Sequence, residues 1–161
     1  MAAFAEAGRV LGEVRYQVAA AELAAFIRSS AWREGRLSHT WKAGQAKVEG
    51  MLDDYCFVGL GLVELFKLTG DMALLEWARE LWEAVLSRFR DVEGGGFFET
   101  PADSEPLLLR QKAFFDAAIP SGNGAAALLG LWLGRYYGRN DWELQAEEVA
   151  GQVADHLLRA V

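Results

Sequence analysis

Apolar residues recur three and four positions apart through most of the chain. This pattern predicts six α-helices, at 2–11, 14–29, 53–69, 72–90, 122–137 and 141–159. The first helix of each pair is followed by a glycine, which can adopt the left-handed conformation that ends a helix: Gly12, Gly70 and Gly138. The sequence therefore predicts three consecutive helical hairpins.

The predicted helices differ in how their apolar residues are distributed. The third and fifth are apolar over much of their circumference, whereas the fourth and sixth carry charged residues among their apolar ones. An apolar helix is buried and an amphipathic helix faces water on one side, so we expect odd-numbered helices to be inner and even-numbered ones outer. Repeated hairpins of this kind must stack on their neighbours, and the alternation is that of an α/α toroid. Polar and apolar residues alternate at 37–41 and 97–100, which predicts short extended segments in the linkers.

Three segments then carry a resemblance to a known family: 49–55 (EGMLDDY), 94–101 (GGGFFETP) and 119–123 (IPSGN). Together and in this order they resemble the carboxyl-terminal region of the thioredoxin-domain-containing, spermatogenesis-associated protein 20 family. The resemblance implies a helical toroid similar to that of N-acylglucosamine 2-epimerase and the six-hairpin glycosidases. The fold class expected is thus all-α, with residues 1–161 forming a single partial toroid domain of about half the six hairpins.

The sequence also departs from that family. It has no Cys-x-x-C pair, so thioredoxin-like redox chemistry is not implied. Gln111 stands between Arg110 and Lys112, where the family tends to have proline. The catalytic histidines of the epimerase relatives are not found. The preceding toroid hairpins are expected to be missing, which would leave the flanks of the inner helices uncovered and favour a homodimer. A compact six-helix bundle that closes on itself is the alternative.

Composition excludes several classes of partner. A formal net charge of −7 argues against nucleic acid and anionic membrane surfaces, both of which attract basic patches. No apolar run is long enough for a bilayer span, and no secretory signal is recognised at the amino terminus. A single cysteine, Cys56, fits a reducing cytoplasm. His39 and His156 lack partners at metal-ligand spacing, so we expect no metal and no cofactor, and assign both histidines to surface or packing roles.

Polar residues gather where the inner helices are predicted to begin, which in such toroids surrounds the central cleft. Carboxylates there could act as general acid and base if their environments separated their pKa values. The catalytic candidates are Asp53, Asp54 and Asp116. The substrate-binding candidates, with Trp41 and Phe114 as stacking platforms for a sugar, are Trp41, Tyr55, Arg110, Lys112, Ser121 and Asn123.

Structural roles compete with each of these assignments. Asp53 and Ser121 are typical helix caps, and Arg110 could simply pair with Asp116. Two functions therefore stay open. One is an enzyme-like domain that binds a sugar or related small molecule in a cleft; the other is a non-catalytic domain for protein interaction or self-assembly.

Overall fold

The computed structural model describes residues 1–104 and 108–159, and side chains in the last helix as far as Ala154. Its helices agree with the predicted ones to within two residues at each end. They are α1 (Ala2–Leu11), α2 (Val14–Ser30), α3 (Leu52–Thr69), α4 (Met72–Arg88), α5 (Gly122–Tyr137) and α6 (Asn140–Arg159). The prediction of three helical hairpins is confirmed.

Each hairpin turns at the glycine identified in the sequence. Gly12, Gly70 and Gly138 have φ angles of 69°, 73° and 65°, and the backbone N–H of each donates to a carbonyl in the last turn of its helix. A side chain at these positions would be strained in the left-handed region, which glycine occupies without cost. The hairpin corners therefore follow from local chemistry.

A small antiparallel sheet lies between the first and second hairpins. Its strands are β1 (Trp32–Arg33), β2 (Arg36–Lys42) and β3 (Gln45–Glu49), in that order. β2 pairs with β3 from Ser38 opposite Glu49 to Lys42 opposite Gln45. The segment predicted as extended at 37–41 lies inside β2. The fold is thus mostly helical, as expected, and the extended segment predicted in this linker belongs to a three-stranded sheet.

The second segment predicted as extended, at 97–100, is not a strand. Only Phe97 forms a bridge there, with Arg90. The residues that follow are held by other contacts: Leu52 N–H donates to the Glu99 carbonyl (3.0 Å), and Glu99 N–H donates to the Gln111 carbonyl (2.8 Å). The segment therefore bridges α3 and the linker before α5.

α3 is the central helix of the fold. It packs against α1, α4 and α5, while α2 packs on α1 and α6 packs on α5. Its apolar residues are buried on several sides, whereas α4 buries one face that includes Trp77, Leu81 and Val85 and exposes Glu76 and Glu83 on another. The distinction drawn from the sequence between α3 and α4 is therefore correct.

The core is richest in aromatic rings where the helices meet the linkers. Trp82 and Phe97 lie edge-on with centroids 5.7 Å apart, and Tyr55 and Phe89 lie 5.3 Å apart. All four side chains are almost completely buried. Phe97 and Phe89 flank the glycine turn at 94–96, so aromatic packing anchors both ends of that loop to the helices.

A largely buried arginine side chain joins the sheet to the helical body. Arg88, at the end of α4, pairs with Glu49 of β3 and with Asp103 (2.9 Å), and donates to the Tyr55 hydroxyl (2.6 Å). Leu37 N–H of β2 donates to the same hydroxyl (2.8 Å). These contacts fix β2 and β3 beside the start of α3.

Candidate functional site

The amino-terminal ends of α3 and α5 lie side by side and enclose a small cleft. A Cβ atom on Gly122 would lie only 3.0 Å from Leu52 Cδ2 and 3.6 Å from Asp53 N, so glycine allows the two helix starts to approach closely. The cleft has a volume of about 200 Å³. Its walls are formed by Met51, Leu52, Asp53, Glu99, Ala113, Phe115, Ala117, Ile119, Pro120, Ser121 and Gly122.

The two neighbouring aspartates at the start of α3 have different surroundings. Asp54 Oδ2 accepts a hydrogen bond from Met51 N–H (2.8 Å) and lies 2.7 Å from His39 Nδ1. Asp53 Oδ1 accepts from Asp54 N–H (2.9 Å) and the residue lines the cleft. Both carboxylates therefore bond free N–H groups of the first turn, as expected for acids near a helix start. Only Asp53 also faces the cleft.

Ser121 caps α5, as the sequence predicts. Its hydroxyl oxygen accepts from Gly124 N–H (3.1 Å), and its own backbone N–H donates to Asp116 Oδ1 (2.9 Å). Asp116 therefore holds the linker against the helix start. Ser121 lines the cleft and Asp116 does not, so Asp116 contacts a residue of the cleft wall without lining the cleft itself.

Asn123 lies completely buried beneath this helix start. Its Oδ1 accepts from Phe97 N–H (2.8 Å), and its Nδ2 donates to the carbonyls of Phe97 (2.8 Å) and Ala113 (3.0 Å). The side chain thus ties two linker segments to α5. Its contacts in the structure are with the protein backbone.

Known proteins resemble most of this sequence. The chain is similar to spermatogenesis-associated protein 20. It is 36% identical over 150 residues to the protein of Rattus norvegicus, and 35% identical over 150 residues to those of Homo sapiens and Mus musculus. Each match covers 86% of this chain and 19% of the relative, so the chain spans about a fifth of the length of these proteins. No protein-family model matches the chain.

The similarity to spermatogenesis-associated protein 20 agrees with the resemblance carried by the three segments at 49–55, 94–101 and 119–123. In the structure these segments meet: Leu52 N–H bonds the Glu99 carbonyl, and residues of all three line the cleft. The segments that resemble the family therefore form one site.

Arg110 and Lys112, both expected to bind substrate, contact the linkers. Arg110 donates to the Thr100 carbonyl and stacks its guanidinium 4.1 Å from the Phe98 ring centre. Lys112 Nζ lies 2.5 Å from Asp91 Oδ2 and donates to the Gly95 carbonyl (2.7 Å). The suggested pairing of Arg110 with Asp116 is wrong, because the guanidinium of Arg110 donates to backbone carbonyls.

Hydrogen bonds and an ion pair of Asp91 hold the loop around this residue. Asp91 accepts from the backbone N–H of Gly94 and Glu93 (3.0 Å each) and pairs with Lys112. These bonds, the one from Gly94 first, lower the pKa of Asp91 to about 2. The Lys112 ammonium thus stabilises the glycine turn at 94–96.

Tyr55 and Trp41 lie apart from the cleft. The Tyr55 ring is fully buried, and this burial raises the pKa of its hydroxyl, although Arg88 beside it acts in the opposite direction. Trp41 projects from β2, is 41% exposed and packs edge-on against Phe26 of α2 (5.8 Å). The aromatic residue that lines the cleft is Phe115, next to the predicted platform Phe114.

Three features of the site differ from what the sequence predicts. Glu99 lines the cleft, where its carbonyl accepts from Leu52 N–H at the start of α3, and nothing in its spacing along the sequence distinguishes it from other acids. His39 contacts Asp54, whose hydrogen bond raises the pKa of the imidazole. Phe115 forms part of the cleft wall. The first two contacts link residues 15 or more positions apart, so only tertiary structure creates them.

Other expectations concern single residues and cofactors. Cys56 is buried as predicted, and burial raises the pKa of its thiol. The role expected for His156 lies outside the described side chains. Among the described residues, no three His, Cys, Asp or Glu side chains come together as a metal site.

Within residues 1–104 and 108–159, no helix is both long and apolar enough to cross a bilayer.

Proposed function

We propose that this chain binds a neutral polyhydroxylated molecule, such as a single sugar or a cyclic polyol, in the cleft between the starts of α3 and α5. The observation that supports this most directly is the combination of polar groups in its wall. Asp53, Glu99 and Ser121 face the same small cavity as Phe115 and Pro120. Oxygen acceptors beside apolar surface complement a ring that carries both hydroxyl groups and C–H faces.

The negative charge of the cleft and of the whole protein favours neutral ligands over anionic ones. Two acidic residues in its lining, Asp53 and Glu99, and an overall charge of −7 disfavour phosphorylated and other anionic molecules. Hydroxyl groups, by contrast, donate to carboxylates and accept from N–H groups at a helix start. The neutral polyol therefore fits better than a sugar phosphate.

Size limits the ligand as well. The cleft of about 200 Å³ is below the roughly 300–1,000 Å³ typical of sites for drug-sized molecules. It suits one ring. Within this proposal Asp53 and Glu99 accept hydroxyl protons, and Asp53 is the carboxylate best placed for acid–base chemistry on the bound ring. Asp54 and Asp116 support it by holding the two helix starts.

The fold supports the proposal through the order of its helices. α3 lies between α1 and α5, and the cleft opens at the amino-terminal ends of α3 and α5. We interpret this order as part of an α/α toroid similar to those of N-acylglucosamine 2-epimerase and the six-hairpin glycosidases. The proposal of a sugar ligand is consistent with that interpretation.

Thermal unfolding with a ligand panel tests the proposal. Glucose, mannose, N-acetylglucosamine, N-acetylmannosamine and myo-inositol are added in turn, and at least one is expected to raise the unfolding temperature saturably. Asp53→Asn and Glu99→Gln should abolish the shift, because each replaces a carboxylate acceptor by an amide. Glu147→Gln, a matched change at an exposed residue of α6, should leave the shift intact. If none of the five compounds shifts the wild-type protein, the proposal is wrong.

One observation favours self-assembly as a second candidate. Val10, Leu11 and Val14 surround the corner between α1 and α2 and are each 60% exposed or more. Clustered apolar side chains of this kind favour association. We propose a homodimer formed through this corner. Light scattering over a dilution series should then show dimers that Leu11→Glu converts to monomers; a wild-type monomer at all concentrations would exclude the dimer.

A further inference from the structure

A second groove, whose wall shares no residue with the cleft, lies beside the small sheet. It is bounded by the end of α2 and by the β2–β3 hairpin, and its volume is about 510 Å³. That volume falls within the roughly 300–1,000 Å³ range of small-molecule sites. The wall residues, none of which lines the cleft, are Ser29, Ser30, Ala31, Arg33, Ser38, Trp41, Gly44, Gln45 and Ala46.

One aromatic side chain of the groove wall, Trp41, packs against Phe26, and both side chains remain partly in solvent. Trp41 is 41% exposed and Phe26 is 42% exposed, with their ring centres 5.8 Å apart and their planes at 88°. In this edge-to-face arrangement Phe26 supports one side of the indole. An exposed aromatic pair beside polar side chains is typical of a surface that binds a ligand.

The hairpin holds Trp41 in a defined position. Trp41 pairs with Ala46 across the sheet, and Lys42 pairs with Gln45, which leaves a two-residue turn. Ala43 and Gly44 have φ angles of 51° and 76°, the signs that a type I′ turn requires. A tight turn of this kind restricts the motion of the hairpin backbone, and therefore the position of the indole.

The polar part of the groove offers both donors and acceptors. The hydroxyls of Ser30 and Ser38 can each donate and accept, and the Gln45 amide does both. The Ser29 hydroxyl donates to the Phe26 carbonyl (3.2 Å) and can accept. Arg33 adds a donor. The groove also adjoins the carboxyl-terminal end of α2, which carries partial negative charge and so disfavours an anion.

We infer that this groove is a carbohydrate-binding site in which Trp41 stacks on the apolar face of a pyranose ring. A pyranose has C–H groups on one face and hydroxyl groups around its edge. The indole provides a flat apolar surface, while the serines and Gln45 bond the edge hydroxyls. The volume accommodates two linked rings, so an oligosaccharide is the expected ligand. The site is independent of the cleft between α3 and α5.

The indole N–H resonance of Trp41 in a proton–nitrogen correlation spectrum reports on this site directly. Its assignment follows from its loss in Trp41→Ala. The probes are maltose, cellobiose and N,N′-diacetylchitobiose. At least one is expected to shift the Trp41 resonance saturably while the other indole resonances stay in place.

Variants separate this site from alternatives. Saturation-transfer difference spectra of the same disaccharides, which do not depend on any one indole, should lose their signal in Trp41→Ala. Phe26→Ala should weaken binding by about tenfold because the indole loses its edge support. Trp132→Phe, a change on α5, and Asp53→Asn, a change in the cleft, should bind as wild type.

Either of two results would overturn the inference. One is the absence of a saturable shift with all three disaccharides up to their solubility limits. The other is disaccharide binding that survives in Trp41→Ala. If binding is instead lost in Asp53→Asn, the sugar occupies the cleft, and the proposed function stands while the groove does not.

Discussion

Replacement of Asn123 by alanine tests the interpretation of this residue as a structural clip. The side chain is fully buried and makes three hydrogen bonds to backbone groups, two with Phe97 and one with the carbonyl of Ala113. Asn123→Ala removes all three at once. The Phe97 N–H then has no acceptor from α5, in a region from which water is excluded.

The magnitude follows from the number of groups left unpaired. A buried donor or acceptor without a partner costs about 1–3 kcal/mol, and the costs of neighbouring groups do not add fully. The N–H of Phe97 contributes most to the loss of stability, because it has a single hydrogen to donate. A carbonyl oxygen has two lone pairs and can accept a second hydrogen bond from another donor. We expect the free energy of unfolding to fall by about 2–4 kcal/mol, a large part of the roughly 5–15 kcal/mol typical of a domain.

Urea unfolding followed by circular dichroism measures this loss. With an m-value of about 1–3 kcal/mol/M, the midpoint should fall by about 0.7–4 M without a change in slope. Asn140→Ala is a matched control at an exposed residue and should change stability by less than about 0.5 kcal/mol. A midpoint for Asn123→Ala equal to that of this control would refute the reasoning.

An isosteric variant sharpens the test. Asn123→Asp keeps an acceptor for the Phe97 N–H but turns an oxygen toward the carbonyls of Phe97 and Ala113. The buried carboxylate is destabilised by this environment, so its folded-state pKa should exceed the unfolded value. The variant should therefore gain stability as pH falls through that raised pKa. Equal destabilisation at all pH values would mean that the side chain does not face the two carbonyls.

Three further predictions concern other contacts. The bond to Asp54 raises the pKa of His39, so the stability it adds is present below about pH 6.5 and is lost as pH rises through the folded pKa. The urea midpoints of wild type and His39→Gln should therefore converge on going to alkaline pH; a constant difference would contradict this. Val48 has a φ of 61°, so Val48→Gly should raise the thermal unfolding temperature, because relief of about 1–3 kcal/mol of strain exceeds the entropic cost of glycine. A lower temperature would show that the strand is unstrained. In Gly130→Ala the new Cβ would lie 2.8 Å from a buried tryptophan ring and should cost about 1–3 kcal/mol in urea unfolding, whereas Gly151→Ala, with open space around it, should stabilise α6 by up to about 1 kcal/mol. Equal effects of the two alanines would exclude close packing at α5.

The candidate site could be predicted only in part. Placing it at the starts of α3 and α5 depended on two local signals, the paired aspartates at 53 and 54 and the Pro-Ser-Gly run at 120–122. Asp53 and Ser121 do line one cleft. The roles of the others depend on partners far along the chain. Asn123 bonds Phe97, 26 residues away, and Tyr55 bonds Leu37, 18 residues away.

Local chemistry determined the helices and their corners. Hydrogen bonds within a helix join residues four apart, and a glycine such as Gly70 ends a helix through its own φ angle, so both can be read from short stretches of sequence. Tertiary structure decided which polar side chains share a cavity. It brought Glu99 to the cleft, buried Tyr55 and carried Trp41 to a different groove. Packing between segments that are distant in sequence determines which side chains become neighbours, and this packing cannot be read from the periodicity of the sequence.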